Sequence, residues 1–403
     1  MESIVQEGED PPTPKITIRN QNPSMTQDHQ PIIMRTQNQH EEEQEQEEDQ
    51  KSKTNKRYMF LLVINYLFLF VGSVSSSLLS KFYFIHKGSS RWVSTWVQSA
   101  GFPLLLFPIF LPYYIFKCTP RKPFTRFTPK ILILSILVGL MLGLNNLLFS
   151  WGNSYLPVST SSLLLSTQLI FNLILSVIIV KQKITFQNLN CVILLTLSSL
   201  LLAFTSSHDR PQGLTKTKYF IGFFSTIGAG LLFALYLPIM EKIYKSVYTY
   251  EMVMEMQVVM EIAATGLATV GMTTDGGFSE MVRESKFVFD KGEKWYWIGV
   301  IGNVVTWQLC FMGTAGLVFL TSSLTGGICM TALLAMNVLG GVLVYGDEFG
   351  GVKVVSTLLC GWGFSSYVYG MHLKIKDEKK QKEKQKNIGM EMVIVDQDQT
   401  DNA

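Results

Sequence analysis

The sequence predicts an all-α polytopic membrane protein, with ten transmembrane helices arranged as two inverted five-helix repeats. Three observations carry that reading. Apolar runs of about twenty residues, the length needed to cross a hydrocarbon core, recur along the chain. Charged residues, 16% of the 403 against 47% hydrophobic, fall at the ends and in the short gaps between runs. A short motif, Thr160-Ser161-Ser162-Leu163, returns as Thr321-Ser322-Ser323-Leu324, and at the same shift Gly152 meets Gly313 and Leu156 meets Leu317. The two copies open the fourth and ninth runs, and an odd separation of five forces opposite directions through the membrane. Inverted repeats of this kind place a binding site near mid-depth between the halves.

Residues 1–57 are polar, rich in Gln, Glu and Pro and poor in aromatics, and are expected to stay disordered because they bury too little apolar surface to offset ordering entropy. They lack the basic start and short apolar core of a secretory signal, so the first span is expected to serve in targeting. The first repeat, 58–205, holds spans at Tyr58–Ser80, Trp92–Phe116, Lys130–Phe149, Pro157–Val180 and Leu189–Thr205. A linker, 206–218, leads to the second repeat, 219–373, with spans at Tyr219–Met240, Glu251–Met272, Trp295–Gly316, Ser322–Tyr345 and Val352–Leu373. A charged tail, 374–403, follows. The runs are continuous rather than alternating, which indicates helices and not barrel strands.

Orientation follows from the basic residues in alternate gaps. With the amino terminus inside, about twenty Lys and Arg near span ends face the cytosol against about eleven outside, so both tails are expected there. The acidic block Glu41 to Gln50 and the lysine-rich stretch Lys374 to Lys386 partly cancel, and neither reads as a nucleic-acid surface. The five cysteines, Cys118, Cys191, Cys310, Cys329 and Cys360, have no metal-ligand or redox spacing. The five histidines, His29, His40, His86, His208 and His372, lie in tails or at span edges. No cofactor, metal or catalytic constellation is expected, which argues against an enzyme.

Within the spans, polar residues mark the candidate site. Pro103, Pro108 and Pro112 in the second span, Pro157 at the start of the fourth and Pro238 late in the sixth mark kinks or entry points. In the third span Gly139 and Gly143 have the GxxxG spacing of close helix contact. Asn145 and Asn146 follow, and because neighbours point about 100° apart, at most one is expected to face a cavity. On the fourth span Ser161, Gln168, Asn172 and Ser176 fall on one helical face. Hydroxyls there can bond back to the preceding turn, whereas an amide has donors and an acceptor to satisfy where no water is offered. The seventh span carries Glu255 about one turn inside and Glu261 near its middle, where an ionised carboxylate is costly. A carboxyl that takes up and releases a proton on different sides is the minimal part for proton coupling. A structural carboxyl bonded to neighbouring hydroxyls is the alternative. The eighth span places Asn303, Trp307 and Gln308 together, an aromatic face beside amides that suits a flat heterocycle, unless the indole is simply packed between helices.

These blocks resemble the plant purine permeases of the drug/metabolite transporter superfamily. The likeness covers nearly all of Tyr58 to Lys374 and rests on RWVSTWVQSAGFP (from Arg91), YLPVSTSSLLLSTQLIFN (from Tyr155), KQKIT (from Lys181), YLPIMEKIY (from Tyr236), EMQVVM (from Glu255), TWQLCFMGTAGLVFLTSSL (from Thr306) and GVKVVSTLLCGWGFSSYVYG (from Gly351). Two stretches depart from the family pattern, YGDEFGG with the GGICMTALLAMN run before it, and Glu261, where relatives often carry a small polar residue. Both bear on which ligand is taken.

The resemblance implies proton-coupled import of adenine-like bases, cytokinins or other nitrogenous heterocycles, at the plasma membrane. Its partners would be the substrate, protons and the lipid bilayer. The expected substrate-binding residues are Asn145, Gln168, Asn172, Trp307 and Gln308, and the expected proton-coupling residues Glu255 and Glu261. The alternatives are a carrier of another small metabolite on the same fold and a receptor that binds without transporting. A phosphorylated cargo is disfavoured, because no Lys or Arg lies mid-span.

Overall fold

A computed structural model describes residues 32–115, 117, 121–156, 158–206, 215–247, 249–346 and 350–401. Cys118, Pro157, the segment 347–349 and most of the 206–218 linker lie outside them. The chain divides into two compact units, Met1–Lys56 and Arg57–Ala403. Of the first, the described part is helical from Ile32, ahead of the Tyr58 start that apolarity alone gives. Its Glu, Gln and Lys residues are strong helix formers, whatever their polarity.

The second unit is all helix, with no strand among the described residues. The elements of the chain in order are α1 (Ile32–Ile85), α2 (Arg91–Ser99), a 3₁₀ turn (Phe102–Leu105), α3 (Leu106–Tyr114), α4 (Pro129–Tyr155), α5 (Val158–Val180), α6 (Phe186–Ser206), α7 (Lys216–Tyr244), α8 (Tyr250–Thr274), α9 (Gly277–Arg283), a π turn (Glu284–Val288), α10 (Glu293–Leu320), α11 (Ser323–Tyr345) and α12 (Gly351–Asp401). Among the described residues seven stretches are long and apolar enough to cross a membrane, within α1, α2–α3, α4, α7, α8, α10 and α11. Shorter apolar stretches, Thr167–Val180 and Phe186–Ser198, lie in α5 and α6. The chain is thus a multi-pass, all-helical membrane protein.

Local chemistry accounts for the breaks. The expected second span is interrupted at Pro103, whose missing N–H and fixed φ end α2 and open a 3₁₀ turn. Pro238, by contrast, is carried inside a continuous α7. Thr128, Thr215, Thr249 and Ser322 cap the helices that follow them by accepting a backbone N–H on the side-chain oxygen.

Packing brings α4 against α7 and α8, α5 against α7, and α6 against α12. The Gly139/Gly143 pair lets α4 approach α8 closely: a Cβ on Gly139 would overlap the Met260 carbonyl oxygen, and one on Gly143 would stand 3.1 Å from Ala264 Cα. The largest core cluster fills that region with Tyr236, Leu237, Met240, Met252, Met256 and Met260.

The helix ends sort into two layers. At one, the Ile85 end, Arg91 donates from Nε to Ser154 Oγ (3.1 Å) and lies over the Tyr155 ring. There the buried Glu284 gathers α1, α2 and α10: its carboxylate accepts from Tyr83 OH (2.7 Å), Ser89 N (2.9 Å), Ser89 Oγ (2.7 Å), Ser90 N (3.2 Å) and Tyr296 OH (3.3 Å). At the other, the Tyr58 end, Tyr58 OH donates to Leu320 O (2.9 Å), Tyr250 OH to Asn65 Oδ1 (2.9 Å), and Arg57 pairs with Glu251 (3.3 Å).

Candidate functional site

A cavity of about 310 Å³ occupies the half of the bundle toward the Ile85 end. Lys81, Phe84, Ile85, Asn153 and Leu156 line it where helices end. Gln168, Phe233, Trp307, Phe311 and Met330 line it near mid-helix. One wall is a serine face of α1, Ser73, Ser76, Ser77 and Ser80, at the three-and-four spacing of one side of a helix. Opposite helices bring amides: Gln98 from α2, Asn145 and Asn146 from α4, Gln168 from α5 and Asn337 from α11. A second cavity of about 340 Å³, between α1, α11 and α12, is walled chiefly by Leu69, Phe70, Leu333, Met336 and Phe364, and offers little to orient a polar ligand.

Trp307 is built into an aromatic corner of the first cavity. Its ring stacks on Phe311 (centroids 5.6 Å apart, 28° between planes) and meets Phe149 edge-on (5.7 Å, 83°). Offset and edge-on pairs of this kind favour a defined ring orientation. The Trp307 Nε1–H has no partner among the described residues.

Asn145, Gln168 and Trp307 thus line one cavity, and Asn146 reaches it too, with Asn145 Nδ2 donating to Asn146 Oδ1 (3.3 Å). The expectation that only one would face a cavity assumed a narrow opening. A cavity wide enough to span 100° of helix surface takes both.

The carboxylates lie elsewhere. Glu261 is fully buried and accepts on Oε1 from Gln257 Nε2 (2.9 Å) and Gln308 Nε2 (3.2 Å); its Oε2 has no partner among the described residues. Tyr236 OH extends the chain to Gln257 Oε1 (3.5 Å). Gln308 therefore points into this network, beside Trp307 in sequence but outside the cavity lining. Glu255 sits toward the Tyr58 end, in a bidentate pair with Arg121 Nη2 (2.8 and 3.1 Å), while Arg121 Nη1 donates to the α8 cap Thr249 (3.0 Å).

Asn172 and Ser176, lower on the stripe that carries Ser161 and Gln168, meet α11 instead of the cavity. Asn172 Nδ2 donates to Ser323 O (3.1 Å), and the Ser176 and Ser323 hydroxyls bond at 3.0 Å. From α7, Glu241 Oε2 accepts from Ser323 N (2.7 Å) and Ser323 Oγ (2.5 Å). A carboxylate on the first N–H of a helix is favoured by the helix dipole. Gly327 makes room for the approach, since a Cβ there would overlap the Asn172 amide. These bonds join α5, α7 and α11 at the Tyr58 end, below the cavity.

The family model described as purine nucleobase transmembrane transport matches residues 60–377. Probable purine permease 4 of Arabidopsis thaliana is 70% identical over 297 residues, covering 73% of this chain and 78% of its own length. Purine permease 2 of the same plant is 35% identical over 337 residues, covering 79% and 93% respectively. Purine permease 3 is 33% identical over 316 residues, covering 77% and 90%. One solved crystal structure superposes with a TM-score of 0.53 at 11% identity, covering 75% of this chain and 95% of the other, a likeness of fold alone.

Proposed function

Because the chain belongs to the plant purine permease family, we propose that it imports purine nucleobases, cytokinins or related nitrogenous heterocycles across the plasma membrane in symport with protons. It is a transporter and not an enzyme. The cavity carries the reading: an aromatic corner at Trp307 beside convergent amides, in a volume of about 310 Å³. That is near the lower end of small-molecule sites, roughly 300–1,000 Å³. It suits a fused ring and leaves little room for an attached sugar phosphate.

In this reading α1, the broken α2–α3 pass, α4 to α8, α10, α11 and α12 are ten membrane passes in two inverted halves, 58–205 and 219–373, with the Tyr58 end and both tails in the cytosol. The cavity then faces outward and the bonds around Ser323 close the inner end. The base enters at the Ile85 end, its ring stacks on Trp307, and Asn145 and Gln168 hydrogen-bond its edge. Asn172 engages only as the site opens inward.

Glu261 is the proton carrier of this scheme. Its hold on Gln308 ties it to the helix that presents Trp307, so protonation and ligand act on one element. A neutral carboxyl also lowers the cost of closing the bundle around it. Glu255, already neutralised by Arg121, holds the α3–α4 loop to α8.

Uptake of radiolabelled adenine and trans-zeatin into a purine-uptake-deficient yeast tests this, at several external pH values and with a protonophore. Accumulation should rise as external pH falls and collapse with the protonophore. Indifference to both overturns symport, and a pH response unchanged in Glu261→Gln removes Glu261 from the role.

A further inference from the structure

Four buried polar atoms on the cavity wall find no partner among the described residues: Asn146 Nδ2, Ser161 Oγ, Trp307 Nε1 and Asn337 Oδ1. Asn146 is 1% exposed and Asn337 9%, so bulk water does not serve them freely. A buried polar group left unpaired costs about 1–3 kcal/mol. Many serines and threonines of this bundle bond to the turn before them, as Thr314 does to Cys310 O, and the other unpaired buried atoms, Ser99 Oγ and Thr265 Oγ1 among them, lie outside this cavity's lining. These four share one cavity, from α4, α5, α10 and α11.

The set also has a polarity. The Asn146 amide is oriented by its neighbour: its Oδ1 accepts from Asn145, which leaves Nδ2 as the free end. A base stacked on the indole face lies out of the plane of the Nε1–H, so the donor left for its rim is Asn146 Nδ2 and the acceptor Asn337 Oδ1, with the Ser161 hydroxyl able to serve either way. The complementary ligand carries one acceptor lone pair and one N–H at its rim, with an apolar ring between them for the aromatic corner. An aminated purine ring has that rim.

Resting on the nucleobase reading above, we infer that Asn146 and Asn337 determine specificity: Asn146 donates to a ring nitrogen of the bound base, and Asn337 accepts from its exocyclic amino group. Asn145 and Gln168 then fix the ring's position without distinguishing one base from another. A base whose rim lacks the amino group leaves Asn337 Oδ1 unpaired in a closed site, which is how such sites reject near-isosteres.

The test is competition against radiolabelled adenine uptake in whole cells expressing the full chain, using purine, 1-deazaadenine, 3-deazaadenine and 7-deazaadenine. In the unmodified protein, purine and one of the three deaza compounds should compete about tenfold more weakly than adenine, the loss of one hydrogen bond each. Asn337→Leu should bring purine level with adenine to within about twofold, and Asn146→Leu should do so for the sensitive deaza compound, each leaving the other ratio in place. Asn337→Gln and Asn146→Gln, which keep the amide, serve where the leucine variants are not delivered to the surface, and should alter the same ratio alone. If the unmodified protein treats all four compounds like adenine, the inference falls whatever the variants do. It falls also if either substitution changes every ratio alike. Absence of adenine uptake by the unmodified protein would instead overturn the nucleobase reading itself.

Discussion

Replacing Glu255 by Gln separates a closing ion pair from a proton carrier. Glu255 is 1% exposed in its side chain and Arg121 18%, and the two meet through both carboxylate oxygens. Removing one partner of a buried pair costs about 3–5 kcal/mol, because the remaining charge is stranded. Arg121 keeps its bond to Thr249 and some access to water, so the lower figure, about 3 kcal/mol, is expected. At about 2–4 °C per kcal/mol, solubilised Glu255→Gln should melt at least roughly 5 °C below the unmodified protein. Its adenine uptake should fall in proportion to surface abundance while still rising as external pH drops. The double variant Arg121→Met/Glu255→Met should recover most of the lost melting temperature, since an apolar pair of similar volume is often as stable as a buried ion pair. A flat pH profile in Glu255→Gln at an unchanged melting temperature would refute this division and return proton coupling to Glu255.

Three further outcomes follow from contacts already described. Cysteines at Ser176 and Ser323, whose hydroxyls lie 3.0 Å apart, should form a disulfide that stops uptake until a reductant is added, with the single-cysteine variants unaffected by oxidant; uptake persisting through quantitative crosslinking would show that this contact does not open during transport. Gly139→Ala forces α4 off the Met260 backbone and should destabilise by about 1–3 kcal/mol, whereas Gly266→Ala on α8, with nothing within 4 Å of its new Cβ, should leave the melting temperature level or slightly raised. Glu284→Gln turns an amide N–H₂ toward a ring of five donor contacts and should lower stability by about 3 kcal/mol without changing the pH profile of uptake, read by melting and by transport on surviving protein.

Apolar length made the helices legible, and the prolines and paired glycines made two of their details legible, the break at Pro103 and the α4–α8 contact. These are local rules, in which the cause of the structure lies within a few residues of its effect. The serine face of α1 was equally open to such a rule: Ser73, Ser76, Ser77 and Ser80 have helical spacing in the sequence, but serine is small enough to be passed over as packing. Asn337 carried no comparable sign, being a single amide in an apolar run, and the residues that share its cavity come from α4, α5 and α10. Gln308 and Trp307 are adjacent in sequence and point to different surroundings, because a helix turns about 100° per residue. Spacing tells which residues share a face. What stands opposite that face depends on contacts more than a hundred residues away, such as Arg121 with Glu255 or Asn172 with Ser323.

The polar stripe of α5 shows how one sequence feature divides between two tasks. Ser161 and Gln168 border the cavity, and Asn172, one turn further, is already bonded to Ser323. The change from open space to sealed contact therefore falls within a single turn of a continuous helix, about 5.4 Å. Nothing in the residue types marks that boundary, since an amide stands on each side of it. What marks it is α11, whose first turn is drawn against α5 by Glu241, Asn172 and Ser176 together. On the transport scheme proposed above, a ligand on Trp307 and Gln168 would rest above these bonds, and its path to the other end would run along amides and hydroxyls now bonded to Ser323. Moving the ligand on would then mean exchanging those bonds for bonds to the ligand, and a continuous stripe would serve both ends of that path with the same chemistry at different moments.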